Sequence, residues 1–445
     1  MHIDLPDKVK RIIGVIESGG YEAYAVGGCV RDSLLGRVPN DWDITTSASP
    51  LQVKALFGRT IDTGIKHGTV TVMMDREGFE VTTYRIDGEY EDSRHPKDVT
   101  FTSDLAEDLK RRDFTINAMA YNDKNGLVDI FGGASDIQKG IVRCVGNPEE
   151  RFGEDALRMM RAVRFSAQLG YVIADKTRAA IQKLAENLKN ISVERIQTEL
   201  VKLLVSPHPD YLRVCYETGI TKVVLPEFDR CMETEQNNPH HCYTVGEHIL
   251  HSLNGVKGDK VLRLAMLFHD IGKPETKFTD KEGIDHFHGH AMLGEEITRR
   301  IMHRLRFDND TLYRVCKLVL YHDYPVEASA KSVRRAINKI GEEIFPYLFD
   351  VKRADIFAQS SYDREEKITR IEEVRKVYGT VLEKRQCVSL RTLAVTGKDL
   401  IEAGMRPGKE IGEMLDKLLH AVLEEPEENT KEKLMEQVRR MMLEQ

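Results

Sequence analysis

Strand-type patterning in this chain nearly vanishes after Cys144. Before it, short β-branched runs at 24–26, 43–46, 69–73 and 80–84 mix with turns and helical stretches. After it, apolar residues recur at helical spacing almost to the end. That asymmetry predicts a multidomain chain with an α/β head over residues 1–145, followed by an elongated all-α remainder. At 445 residues the chain is too long for a single core, and roughly two to four domains are expected. Breaks at Ser206-Pro207-His208-Pro209 and Gln236-Asn237-Asn238-Pro239, and a charge-rich stretch around 362–375, divide the remainder. The expected parts are a helical neck over 146–206, a helical body over 207–375 and a helical tail over 376–445.

No apolar run reaches membrane-spanning length and no leader pattern opens the chain, so the expectation is a cytoplasmic protein without a membrane partner. The seven cysteines contain no Cys-x-x-Cys pair, which suits reduced thiols better than a disulfide framework. Net charge is −7, so a nucleic-acid partner requires local basic patches.

Ala25-Val26-Gly27-Gly28-Cys29-Val30-Arg31-Asp32 reads as a strand, a glycine turn and a short helix. Gly27 and Gly28 allow backbone to approach phosphate oxygens, and the following helix offers N–H groups to an anion. Arg31 adds a bidentate phosphate donor, with Asp32 holding local structure. Asp41 and Asp43 follow, two apart on an expected strand, so both carboxylates face one side. Such a pair holds Mg²⁺, and two bridged metals activate an attacking hydroxyl and carry a triphosphate. Glu80 is a candidate third carboxylate.

Taken with later segments, Gly27-Gly28-x-x-Arg31-Asp32…Asp41-x-Asp43 resembles the signature of class II tRNA nucleotidyltransferases and bacterial poly(A) polymerases, within the polymerase-beta superfamily. Arg111-Arg112-Asp113-Phe114-Thr115-Ile116-Asn117-Ala118 is similar to the second motif of that family. Asp129-Ile130-Phe131-Gly132-Gly133 with Asp136-Ile137 is similar to the third, and Glu154-Asp155-x-x-Arg158-x-x-Arg161-x-x-Arg164-Phe165 to the fourth. Glu194-Arg195-Ile196 with Glu199-Leu200 is similar to the fifth. The resemblance implies Mg²⁺ at Asp41 and Asp43, CTP and ATP as nucleotides, and tRNA as acceptor. It also implies that Arg112, Asp113 and Asn117 handle the phosphates and sugar of the incoming nucleotide.

Asp155 and Arg158, three apart, are expected on one face of a helix opened by Glu154. A carboxylate accepts and a guanidinium donates, so side by side they match the amino donor and ring acceptor of cytosine or adenine. Guanine and uracil present the reverse pattern. The resemblance implies this base-selecting role. Arg161 and Arg164 continue the stripe, either tracking phosphates or lining a helix face. The polar segment 84–96 reads as a loop. In the resembled family, enzymes that stop after CC lack this loop, so its presence disfavours a CC-only product. Full CCA addition, A-only addition and poly(A) synthesis stay open as products.

In the body, an apolar helix over 261–268 ends in His269-Asp270. Burying that pair requires partners or a metal. His248, His290, His322 and Asp355 complete an ordered set that resembles the HD phosphohydrolase superfamily. His286, His288 and Asp323 are weaker candidates. The resemblance implies a second divalent metal of unspecified identity, and removal of a phosphate or opening of a 2′,3′-cyclic phosphate. A rival function is a metal phosphohydrolase whose head serves as an RNA-binding module. In the tail, Thr396 reads as a helix N-cap and Pro407-Gly408 as a turn. There the resemblance implies tRNA contacts, with Lys398 and Arg406 best placed for phosphates. The expected assembly is a monomer or homodimer.

Overall fold

The computed structural model describes residues 2–88, 99–240 and 242–443. It divides into two compact units, Met1–Asp229 and Arg230–Gln445.

Among the described residues up to Val128, the first unit has the short strands β1 (Ala23–Val26), β2 (Ile44–Thr46), β3 (Thr60–Gly64), β4 (Thr69–Met74), β5 (Glu77–Thr83), β6 (Arg85–Asp87), β7 (Val99–Phe101), β8 (Ala120–Asn122) and β9 (Gly126–Val128), and a small parallel pair, Ile141–Val142 with Val172–Ile173, follows. Seven of them form a mixed sheet in the order β3-β4-β5-β2-β1-β8-β9. β1 is buried along its whole length, as its central position requires. It runs antiparallel to β2 with Ala25 opposite Ile44, while β2 runs parallel to β5 with Ile44 opposite Val81. The helix Asp7–Ser18 lays Val9, Ile12, Ile13 and Ile16 into the same core as Ala25, Ile44, Val70 and Val81. Each such buried valine or isoleucine stabilises the head by about 1.5–3 kcal/mol.

The connection expected over 84–96 starts as structure: β6 pairs antiparallel with β7, Ile86 opposite Thr100. The rest of that segment from residue 89 lies outside the described residues. The helices that follow the sheet include Pro148–Glu154, Leu157–Leu169, Asp175–Leu184 and Val193–Leu204. The second packs against the fourth.

In the second unit, the helix Lys260–Phe268 is buried on every side from Val261 to Phe268. Its neighbours are the helices Val245–Asn254, Asn309–Tyr321 and Phe345–Ala358. The cation within its buried stretch, Arg263, donates to the carbonyls of Leu253 and Lys257, which offsets its burial. The charge-rich stretch at 362–375 is not a break. It is the first part of an unbroken helix, Arg364–Glu383, whose Ile371, Val374 and Val381 are buried. Charge there marks a solvated helix face rather than a linker, so the expected boundary at 375 falls inside an element. The tail has its own core around Leu400, Leu418, Val422, Leu434 and Val438. Buried Arg334 joins it to the body by donating to the carbonyls of Leu423 and Glu424. Among the described residues no helix is long and apolar enough to cross a membrane.

Candidate functional site

β1 stops at Val26 because Gly27 turns the chain away. Gly27 has φ +84°, a conformation that favours glycine, and a Cβ there would lie 3.0 Å from Arg112 Nη1. The helix Gly28–Leu34 starts at once, which brings Arg31 against the second motif. Arg31 donates from Nε and Nη2 to Asp32 at 2.9 and 3.0 Å, and from Nη1 to Asn117 Oδ1 at 2.6 Å. The glycine turn also shortens the next strand. β2 begins only at Ile44, so Asp41 and Asp43 lie on the segment leading into it rather than on the strand itself. One bond persists, from Val26 N–H to the Asp43 carbonyl at 2.9 Å. Both carboxylates line one cleft. Asp43 is raised above the usual carboxylate range by partial desolvation and by the charges of Asp41 and Glu80, with Arg112 opposing.

Asp113 is the buried hub of this cleft. It accepts from Arg161 Nε at 2.8 Å and Nη2 at 2.5 Å, from Asn117 Nδ2 at 3.1 Å and from the Phe114 N–H at 2.9 Å. Burial works to raise its carboxyl, but the Arg161 charge and these hydrogen bonds hold it down at about 2. Asn117 ends a single 3₁₀ turn, Thr115–Asn117. The ring of Phe165 is surrounded by the guanidinium groups of Arg164, Arg31 and Arg161, at 3.8, 5.1 and 5.4 Å from its centroid.

Asp155 and Arg158 depart from their expected arrangement. The helix breaks at Asp155, which ends Pro148–Glu154 and caps Leu157–Leu169 by accepting from the Leu157 N–H at 3.0 Å. Glu154 therefore closes one helix instead of opening the next. The two side chains have separate partners: Asp155 pairs with Arg195 at 2.7 Å, and Arg158 with Glu154 at 2.7 Å. Arg158 also donates to the Arg111 carbonyl at 3.1 Å. Each is thus oriented from behind while facing the cleft. Arg195 and Glu199 are the residues whose roles a linear reading missed. Glu199, 5% exposed at its side chain, pairs with Arg164 at 2.6 Å. The spacing 195, 199, 202 puts Arg195, Glu199 and Lys202 on one helical face, and that is the signal for them.

The glycines, Arg31, Asp41, Asp43, Arg112, Asp113, Asn117, Asp155, Arg158, Arg161 and Arg164 all line one cleft of about 510 Å³, together with Arg111, Phe165, Arg195 and Lys202. Eight cationic and four carboxylate side chains face it, in a chain whose net charge is −7. The local field favours a polyanion.

In the second unit His248, His269, Asp270, His290, His322 and Asp355 converge. Gly272 makes this approach close: a Cβ there would lie 2.3 Å from the His290 carbonyl oxygen and 2.7 Å from the Gly294 nitrogen. The Nδ1 atoms of His248, His269, His290 and His322 face the carbonyls of Ala358, Met266, Phe287 and Val319 at 3.2, 2.8, 2.8 and 2.7 Å. A carbonyl only accepts, so each Nδ1 carries the hydrogen and each Nε2 presents a lone pair inward. These lone pairs meet in two sets. His248 and His269 Nε2 are 3.1 Å apart, each 3.4 Å from Asp270 Oδ2. His290 and His322 Nε2 are 3.2 Å apart and lie 3.6 and 3.7 Å from Asp270 Oδ1. Facing lone pairs require a positive charge between them. Burial opposes protonation of His269, yet the charges of Asp270 and Asp355 raise it to about 9. Divalent metal fits this donor set, which is nitrogen and carboxylate oxygen held by hydrogen bonds from behind. Asp355 lies 2.9 Å from His248 Nε2, and Asp323 3.1 Å from His290 Nε2. Lys273 Nζ stands 2.7 Å from Asp270 Oδ2. His286 is turned aside onto Asp280 at 2.7 Å. In the tail, Thr396 and Asp399 form the expected cap of Gly397–Glu402, and Lys398 and Arg406 are exposed.

Residues 23–143 match a family model described as the poly A polymerase head domain. Residues 170–232 match a "Probable RNA and SrmB- binding site of polymerase A", and residues 281–438 match tRNA nucleotidyltransferase domain 2. A CCA-adding enzyme of Lactiplantibacillus plantarum is 55% identical over 200 residues, 45% of this chain and 49% of that protein. One of Lactobacillus helveticus is 54% identical over 207 residues, 46% of this chain and 52% of that protein. The chain thus matches about half the length of these curated relatives. Among solved structures, the Thermotoga maritima CCA-adding enzyme complexed with tRNA shares the fold, with a TM-score of 0.58 at 20% identity over 99% of this chain and 100% of that one. The Bacillus stearothermophilus CCA-adding enzyme in complex with CTP superposes with a TM-score of 0.75 at 32% identity, over 98% of both chains. Identity at that level along the whole length, joined to the motifs gathered in the cleft, places this chain in the family of CCA-adding enzymes, the class II tRNA nucleotidyltransferases.

Proposed function

We propose that this protein adds CCA to tRNA 3′ ends without a nucleic-acid template, drawing on CTP and ATP. The supporting observation is the single cleft, in which an acidic pair, a cationic cradle and the Asp155 and Arg158 side chains face one another. Asp41 and Asp43 are suited to Mg²⁺. They are two carboxylates that, among the described residues, have no lysine or arginine within ion-pair distance although eight cations line the same cleft. Mg²⁺ bound there supplies polarisation of the attacking hydroxyl and of the triphosphate. Arg31, Arg161 and Arg164, clustered on Phe165, bind phosphate oxygens, and Asp113 and Asn117 fix the positions of Arg161 and Arg31. Asp155 accepts the amino hydrogen of cytosine or adenine while Arg158 donates to the adjacent ring nitrogen. Both arrive already oriented, by Arg195 and Glu154. Guanine and uracil leave donors and acceptors unpaired there, at a cost of about 1–3 kcal/mol for each buried group. In the tail, Lys398 and Arg406 are the proposed phosphate contacts to tRNA.

The test is extension of tRNA lacking its three terminal nucleotides, given CTP and ATP separately and together. CCA products support the proposal. Addition of A only to tRNA ending in CC means an A-adding enzyme, and long A tracts mean a poly(A) polymerase.

The second unit favours an added reading as a metal-dependent phosphohydrolase. The observation is the inward convergence of four Nε2 lone pairs on the two oxygens of Asp270, which suits two cations bridged by that carboxylate. Release of phosphate from p-nitrophenyl phosphate, or opening of 2′,3′-cyclic AMP, with Mg²⁺, Mn²⁺, Ni²⁺ or Co²⁺ is the test. Inactivity with all four overturns it.

A further inference from the structure

The helix Phe345–Ala358 presents one face to a cavity of about 740 Å³ within the second unit. Phe345, Phe349, Lys352 and Asp355 line it at helical spacing, with Gln359 just beyond the helix end. The face is graded. Phe345 and Phe349 meet edge to face with centroids 5.3 Å apart and make the apolar end. Asp355, with His322 and Asp323, is the end at the histidine centre. Lys352 stands between. At a rise of about 1.5 Å per residue, Lys352 is about 4.5 Å from Asp355 along the axis, and Phe349 and Phe345 are about 9 and 15 Å away.

Lys352 is partly buried and, among the described residues, makes no hydrogen bond and no ion pair within 4 Å. Its nearest influences are the charges of Asp323 and Asp355, which act against the desolvation that lowers its ammonium. An ammonium set into a protein wall without a partner is costly, and an incoming anion offsets that cost. The other cations at this cavity are otherwise engaged: Lys367 donates to Gln359 Oε1 at 3.0 Å, and Arg370 pairs with Glu366. Glu327 and Glu373 also face the cavity, and Lys273, already paired with Asp270, does not line it, which leaves Lys352 as the unengaged cation on this wall.

We propose that Lys352 binds a phosphoryl oxygen of the substrate of the histidine centre, and that the Phe345 and Phe349 end receives a flat, weakly polar group on the same molecule. The site then takes an aryl or nucleoside phosphate ester in preference to a small alkyl phosphate. A phosphate held at Lys352 has Phe349 and Phe345 about 4.5 and 10.5 Å away along the axis, so a ring carried on that phosphate reaches the aromatic end.

This rests on the phosphohydrolase reading, and the test separates the two. Phenylphosphonate and methylphosphonate, which cannot be hydrolysed, are titrated calorimetrically into the full chain, both stripped with EDTA and loaded with Mn²⁺. Phenylphosphonate is expected to bind at least tenfold more tightly than methylphosphonate. Lys352→Met is expected to weaken phenylphosphonate about tenfold, with Lys352→Arg restoring it to within threefold. An unchanged thermal midpoint and unchanged CTP incorporation show that the variants are folded. Equal affinity for the two phosphonates, or a Lys352→Met chain that binds like the parent, overturns the proposal. If binding depends on Lys352 but p-nitrophenyl phosphate is not cleaved, the pocket stands and the hydrolase reading falls.

Discussion

Replacing Asp113 by Asn removes one charge from the centre of the head cleft while keeping its shape. In the folded protein this carboxyl sits at about 2, roughly two pH units below an ordinary carboxylate, which corresponds to about 2–3 kcal/mol of stability at neutral pH. Removing one partner of a buried pair costs about 3–5 kcal/mol. Here Arg161 is 33% exposed and keeps Glu199 at 4.0 Å, so the lower figure of about 2–3 kcal/mol is expected. The chain has a single tryptophan, Trp42, packed against the head core between the two cleft aspartates. Its fluorescence during urea unfolding therefore reports the first unit alone. A lowered carboxyl stabilises the fold above its ordinary pKa and loses that effect as pH falls through its folded value. The gap between parent and Asp113→Asn should thus be full at pH 7 and narrow as pH falls from about 4 towards 2. Loss of the anchor for Arg161 and Asn117 should also lower kcat/KM for CTP roughly tenfold to hundredfold. A Trp42 transition with the same midpoint in both proteins at pH 7, or a gap that does not change with acid, refutes the hub argument.

Asp41→Asn and Asp43→Asn should each reduce nucleotide incorporation by about a thousandfold or more with an unchanged Trp42 transition, measured by gel extension of tRNA. Because burial and the charges of Asp41 and Glu80 raise the Asp43 carboxyl, Glu80→Gln should move the acid limb of the rate profile to lower pH. Arg195→Ala frees Asp155 and should cut discrimination of C and A against G and U about tenfold, read as the ratio of kcat/KM values, while C incorporation falls only a few-fold. Asp270→Asn should lower the divalent metal found by elemental analysis from two ions per chain to less than one. Chelation should lower the melting midpoint of the parent but not of this variant.

The cleft was legible where its residues are close in sequence around one turn, although the aspartate pair precedes β2 instead of lying on it. Gly27, Arg31 and the aspartate pair follow from residue type and distance in sequence, because the turn that positions them is local. The arrangement of Asp155 and Arg158 was not legible. Counting three residues along a helix assumes an unbroken helix, and Asp155 breaks it by capping Leu157 while Arg195, 40 positions later, holds its carboxylate. No local pattern contains that long-range partner. The run at 362–375 misled in the opposite sense, since a solvated helix face and a linker share a composition. In the second unit the order of histidines was readable, but the sharing of Asp270 between two pairs emerges only when four segments meet.

Gly272 has a mutational consequence. Its missing side chain lets the segment carrying His269 and Asp270 touch the backbone that begins at His290. One added methyl group would push these two segments apart without altering any of the converging side chains. A single substitution at this position is therefore expected to part the proposed metal ligands while leaving every histidine in place.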